Sequence, residues 1–340
     1  MNRDFGHRAS EGIRIGSLRC ESGSRTTGYL AAADRVDGTS VGIPVIVVAG
    51  ASEGPVLLVD GGIHGDEQEG TLAIAAFARE LDPRALAGTF IGVPVMNVAA
   101  FEAMSRGNPR DSHTFDMNRI YPGSANGFLT ARIAHAHHSL VGSIADMEIT
   151  IHSGGNICYL AETLFAGAGD RGSLELARAM GPDWEIILDT PHPVGSPMAA
   201  MRERGRAAIT VELGGSAGTM PDQLARNVAT LRKALLNVCR HYGMLDGQPL
   251  YARGHWRGKQ QVVQAGASGM LEPNPEITLK SPVRRGDLLL RITDFFGEVK
   301  EELRAPCEGT LFGLRTCPSV TAGDWALFCA EATFQTDPSS

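Results

Sequence analysis

No apolar run in this chain is long enough to span a bilayer, so the sequence offers no candidate transmembrane helix. The first residues, Met1-Asn2-Arg3-Asp4-Phe5-Gly6-His7-Arg8, lack the apolar stretch of a signal peptide. There is no basic stripe either. Lys and Arg are scattered, the formal net charge is -7 and the pI is about 5.8, so neither nucleic acid nor a membrane surface is an expected partner. The six cysteines (Cys20, Cys158, Cys239, Cys307, Cys317 and Cys329) form no Cys-x-x-Cys pair. Their wide spacing suits reduced thiols and a cytoplasmic setting better than a disulfide framework, and none pairs with a plausible base to act as a nucleophile.

The pattern that is present is α/β. The chain has 340 residues, 43% of them hydrophobic, enough for two domains of ordinary soluble composition. Residues 1–43 carry short alternating runs that predict edge strands or a hairpin packed on a catalytic domain. That domain is expected over residues 44–246, where apolar strands alternate with helical segments. The alternation implies a mixed sheet covered by helices on both faces. Val45–Ala49 and Val56–Val59 are joined by a loop short enough for an antiparallel pair. Helices are expected after Gly70, over 128–140, over 174–180 and over 223–242. Strands are expected over 89–97, 147–152 and 207–215.

After Gly247 helical periodicity stops. Residues 247–340 read as an accessory all-β barrel or sandwich, in which Val283–Leu290 and Val320–Leu327 share a Val-x-x-Gly-Asp unit. Lys280 is the candidate lysine if that unit were a biotinyl or lipoyl carrier, but no exposed hairpin with the expected flanks surrounds it.

The chemistry is expected where Val56–Val59 opens into Gly61-Gly62-Ile63-His64-Gly65-Asp66-Glu67-Gln68-Glu69-Gly70, because open α/β sheets bind ligands at strand ends. His64 and Glu67 are three apart and can aim at one point. His152 ends another apolar strand and is followed by Ser153-Gly154-Gly155, which leaves room for a substrate. Two His and one Glu make the three-ligand set of a catalytic zinc site, with one position left for water. Asp66 and Glu69 compete for the metal. Asp66 should point away from the His64–Glu67 side, and Glu69 suits the first turn of the next helix.

Glu212, at the end of Ile209-Thr210-Val211, is the candidate base, since an unpaired carboxylate there is costly to bury. The polar stretch 104–126 supplies positive charge. Asn118 and Arg119 suit a substrate carboxylate, and Arg110 suits the developing oxyanion, with Arg106 as its competitor. His135, His137 and His138 read as a partly exposed helix surface, and His192 as a residue of the pocket rim.

Four ordered motifs carry a family resemblance: Gly-x-His-Gly-Asp-Glu at 62–67, Asp-Met-Asn-Arg-Ile-Tyr-Pro-Gly at 116–123, Ile-His-Ser-Gly-Gly at 151–155 and Val-Glu-Leu-Gly-Gly at 211–215. Together they resemble the succinylglutamate desuccinylase/aspartoacylase family, a branch of the zinc carboxypeptidase superfamily, over roughly residues 40–330. Among its members the chain looks most similar to N-acetyl-diaminobutyrate deacetylases.

The resemblance implies one zinc per chain on His64, Glu67 and His152. A zinc-bound water would attack the acyl carbonyl of a small N-acyl amino acid, with Glu212 as general acid/base. Asn118 and Arg119 would hold the carboxylate, and Arg110 would polarise the carbonyl. Two positions depart from the family pattern: Thr150 where many members have Asp, and Asp66 where Asn is usual. A metallocarboxypeptidase and a non-catalytic ligand-binding relative are the alternatives, and a homo-oligomer stays open.

Overall fold

The computed structural model describes residues 12–111, 113–190, 194–216 and 220–336. A mixed twelve-stranded sheet runs through the molecule. At its centre Ser52–Gly61, Met147–His152 and Ala207–Gly215 run parallel, with Asp60 beside Thr150 and His152 beside Glu212. Both faces of these strands are covered, one by apolar residues throughout the core and the other with buried polar residues among them.

On one face, Val59, Ile149, Ile151, Ile209 and Val211 pack under the helices Glu69–Glu80, Arg171–Arg178 and Pro221–His241. On the other, Leu58 and Ala208 pack under Leu129–His137 and Pro197–Glu203. Side chains alternate along a strand, so Glu148, Thr150 and His152 share this second face with Asp60, Thr210 and Glu212. A polar patch therefore runs across an otherwise apolar layer. Among the described residues no helix is long and apolar enough to cross a membrane.

The expected antiparallel pairing of 45–49 with 56–59 does not form. Ala87–Val93 lies between them, antiparallel to Ser40–Ala49 and parallel to Ser52–Gly61. The short connection arches over its start, where Gly50 donates to the Gly88 carbonyl at 2.8 Å and Ala51 to that of Pro83 at 3.1 Å. A fully buried strand gains partners on both edges by inserting there, and loop length alone does not reveal it. At the amino-terminal side Ile13–Ile15 and Leu18–Cys20 form a hairpin, and Ser24–Asp34 is an edge strand of the large sheet.

Among the described residues beyond Gly254 there are strands and connecting turns and no helix. Gly254–Gln264 continues the large sheet beside Ile186–Thr190, and Gly309–Arg315 pairs with both Trp325–Thr336 and Cys158–Gly167. Four further strands make a separate sheet, and a cluster including Leu289, Ile292, Leu311, Leu327 and Cys329 fills the space within this region. The repeated Gly-Asp unit forms two like turns. Gly286 and Gly323 have φ of 94° and 95°, and Asp287 and Asp324 accept from the amides of Arg284 and Thr321 at 2.7 and 2.9 Å. Lys280 is held against Glu162, 2.5 Å away, and is not presented on a hairpin tip.

Candidate metal centre and substrate cavity

His64, Glu67 and His152 converge. His64 Nδ1 lies 2.7 Å from Glu67 Oε1, His152 Nδ1 lies 2.8 Å from Glu67 Oε2, and the two Nδ1 atoms are 3.3 Å apart. All three side chains are buried. A tetrahedral ion with ligands at about 2.0–2.1 Å needs donor atoms about 3.3 Å from one another; the two imidazole nitrogens stand at that spacing, the carboxylate oxygens lie closer, at hydrogen-bonding distance, and the donor set fits a zinc-class cation in type.

Electrostatics tie the three together. Burial alone would raise Glu67, yet the two imidazoles hold it well below the usual carboxylate range. Burial works against a charged His64, but Glu67 and Asp116 outweigh it and hold the pKa above its ordinary value. For His152 burial wins, and the ring is pushed down.

The competing acids in the first motif have other duties. Asp66 Oδ2 accepts from the Asn156 amide at 3.0 Å, fastening the loop after His152 to the loop that carries His64. Glu69 is buried, and its Oε1 accepts from the Gly215 amide at 2.7 Å. Gly214 has φ of +88°, and a Cβ there would meet that carboxylate oxygen at 2.0 Å, so only glycine allows the close approach. Glu69 is thus more than an acid in the first turn of a helix: it pins the strand end that carries Glu212.

Glu212 stands next to His152 in register and lines the same cavity. Its Oε2 is buried without a hydrogen-bond partner among the described residues. Burial raises its pKa well above the usual range, the Glu67 charge adds to this, and Arg106 opposes it.

Arg106, Asn118 and Arg119 line the cavity, and Arg110 does not. Arg110 is exposed in a turn where its amide donates to Asn108 Oδ1 at 3.0 Å. Arg106 instead reaches Glu67 Oε1 at 3.8 Å and Asp116 Oδ2 at 3.1 Å. Of the two candidate arginines, Arg106 is thus the one beside Glu67 and Asp116 in the cavity lining. Asn118 presents a buried Oδ1 with no partner among the described residues, and Arg119 is half exposed.

Asp116 does not stand out in the sequence pattern, although it opens the motif that contains Asn118 and Arg119. It accepts the Asn118 amide at 2.9 Å, and its Oδ1 lies 3.1 Å from His64 Nε2. That bond fixes which nitrogen of His64 faces the centre. His137 also departs from expectation: it is buried, not on a helix surface, whereas His135 and His138 are partly exposed. His192 lies outside the described residues.

The cavity has a volume of about 560 Å³. Its polar end holds the groups above. Its other end is apolar, built by Leu160 and Phe165 together with Val262, Phe312, Trp325 and Phe328 from the strands after Gly254. One space can thus hold a charged group, a polarisable bond and an apolar group.

Residues 53–239 match the succinylglutamate desuccinylase/aspartoacylase catalytic domain. Over 306 residues, 86% of this chain and 86% of the relative, the sequence is 30% identical to the N-alpha-acetyl-L-2,4-diaminobutyric acid deacetylase of Halomonas elongata. Among solved structures, a succinylglutamate desuccinylase from a Silicibacter species superposes with a TM-score of 0.82 at 26% identity, covering 94% of this chain and 100% of that one. The product-bound ectoine utilization protein EutE (DoeB) of Ruegeria pomeroyi gives a TM-score of 0.81 at 27% identity, covering 92% and 97%.

Proposed function

The chain belongs to the succinylglutamate desuccinylase/aspartoacylase family, and from that premise we propose that it is a metal-dependent amidohydrolase that deacylates a small N-acyl amino acid. The observation that carries this reading is the convergence of His64, Glu67 and His152 beside the unpartnered Oε2 of Glu212 in one cavity. The named deacetylase and desuccinylase relatives support the reaction class.

Two imidazoles and a carboxylate suit zinc, one ion in this centre, which His64, His152 and Glu67 would hold. When bound, such an ion polarises an acyl oxygen and makes water a better nucleophile at neutral pH. The protein's own groups do the rest. Glu212 takes the proton of the attacking water as the new C–O bond forms, a task the added positive charge favours by drawing its pKa down. It then returns the proton to nitrogen as the C–N bond breaks, releasing a carboxylate and an amine. Arg106 places a guanidinium where negative charge develops on the acyl oxygen. Asn118 and Arg119 hold the substrate carboxylate at the rim.

The apolar end of the cavity selects among N-acyl amino acids. Burying an apolar acyl or side-chain group against Phe165, Phe312 and Phe328 favours such substrates over the second amine of diaminobutyrate. The deciding experiment is a panel of N-acyl amino acids and short peptides, assayed for free amine with and without a chelator. Chelator-sensitive release from N-acyl amino acids, highest for apolar members, is expected. No turnover of any N-acyl amino acid by metal-loaded protein would reject the reading, and faster cleavage of peptides would make it a carboxypeptidase.

A further inference from the structure

A second set of ligand-type side chains lies beneath the first, on the same face of the sheet. Asp60 sits beside Thr150 in the parallel register, and Glu148 precedes Thr150 by two residues and so faces the same way. His137, at the end of the helix Leu129–His137, comes down onto them, with Nε2 3.9 Å from Asp60 Oδ2. One donor atom from each of Asp60, His137 and Glu148 lies within 4.8 Å of the others. The three are 0%, 1% and 2% exposed.

Among the described residues most of their polar atoms have no hydrogen bond of good geometry, although the Asp60 carboxyl faces Glu148 and Thr150 closely enough to interact with both. Both carboxylate oxygens of Asp60, both ring nitrogens of His137 and Oε2 of Glu148 are buried in this way. The same is true of the hydroxyls of Thr150 and Tyr121, and the Tyr121 ring stands edge-on to His137 at 5.9 Å. Around them the layer is apolar, with Leu58, Ile133, Met198 and Ala208. Arg204, a nearby guanidinium, donates to the carbonyls of Gly142 and Ser143. Two carboxyl groups facing one another beside an imidazole in an apolar layer carry a large desolvation cost, and burial pushes the pKa of both carboxyls up. A dication balances two carboxylates and gives the orphaned donor atoms a partner.

We propose that Asp60, His137 and Glu148 form a second divalent-cation site, closed to solvent and structural in role. One imidazole with two carboxylates, and two hydroxyls at hand, suits a first-row ion such as Zn²⁺ or Mn²⁺. It is not half of a two-metal reaction centre. Glu148 lies four residues before His152 on one strand, roughly 13 Å along the chain, whereas paired catalytic ions sit about 3.5–4 Å apart. Its place is the joint between the helix Leu129–His137 and the two strands that end in the candidate metal centre, so the ion would brace that centre from behind.

Metal counting by elemental analysis, after the full chain is stripped and reloaded with Zn²⁺ or Mn²⁺, tests this. Two equivalents per chain are expected, falling to one in D60N/E148Q and to one in H64A. In the H64A chain, chelation should lower the melting temperature further, because the remaining ion is structural. If the double variant does not fold, H137Q is measured in its place, with the same loss of one equivalent expected. A single equivalent that disappears in H64A, or two that persist in D60N/E148Q or H137Q, overturns the second site. A single equivalent that persists in H64A and disappears in D60N/E148Q supports it, and counts against the first site instead.

Discussion

Asp116 takes the far nitrogen of His64, Oδ1 to Nε2 at 3.1 Å, while the near nitrogen faces Glu67 and His152. The two residues are 52 apart in sequence. The carboxylate that Thr150 does not supply next to His152 is thus present on the other imidazole. Ligand orientation by a hydrogen-bonded carboxylate strengthens metal binding. Asp116→Asn is expected to weaken zinc affinity by about 10–100-fold, read by competition with a chromogenic chelator. Unchanged affinity would mean that His64 is oriented by its packing alone.

Glu212→Gln separates binding from chemistry. The amide has nearly the same shape and cannot carry the proton, so metal content should stay at the wild-type level while kcat falls on the order of 10²–10⁴-fold. Metal analysis and turnover on the same preparation check this. Wild-type turnover with metal retained would remove Glu212 from the proton-transfer role.

The two arginines of the polar loop should part company. Arg106→Ala is expected to lower kcat on the order of 10²–10³-fold, since the guanidinium lies by Glu67 in the cavity. Arg110→Ala, an exposed turn residue, should leave the steady-state constants near wild type. Equal losses from both would return Arg110 to the site.

Acid sensitivity of the substrate loop should trace to Asp111. Burial opposes its charge, but its carboxylate accepts from the Thr114 hydroxyl at 2.7 Å and from the Thr130 amide at 2.8 Å. These bonds hold its pKa below the ordinary value. A depressed carboxyl stabilises the fold above its unfolded pKa of about 3.9 and loses that contribution as pH falls through the folded value. Asp111→Asn is therefore expected to cost about 1–3 kcal/mol at pH 7 and progressively less below pH 4. Denaturant melts of both proteins at pH 7 and pH 3 would show it, and a gap that widens in acid would contradict it.

Much of the centre is legible from strand ends and small-residue turns. His64, Glu67, His152 and Glu212 each follow a run of Val, Ile or Leu, and parallel sheets gather such positions along one edge. The choice between Arg106 and Arg110 is not legible, because an irregular loop has no period from which to infer direction. Asp116 and His137 escape sequence reasoning for another reason. A polar residue inside a helix or loop looks solvated until a sheet turns out to lie beneath it, and only tertiary contacts reveal Asp60 under His137. The insertion of 87–93 between 40–49 and 52–61 is hidden likewise, since strand order is a long-range property.

The apolar wall of the cavity has a consequence for how the molecule is assembled. Val262, Phe312, Trp325 and Phe328 arrive with the last quarter of the chain, long after every charged group of the candidate centre has been placed. A polypeptide stopped before Gly254 would carry His64, Glu67, Asn118, Arg119, His152 and Glu212 with only Leu160 and Phe165 of this wall in front of them. Most of the apolar lining, apart from Leu160 and Phe165, is thus held on a separate stretch of sequence from His64, Glu67, His152 and Glu212. The terminal strands can drift, and with them the preferred substrate, while the reacting groups stay where they are.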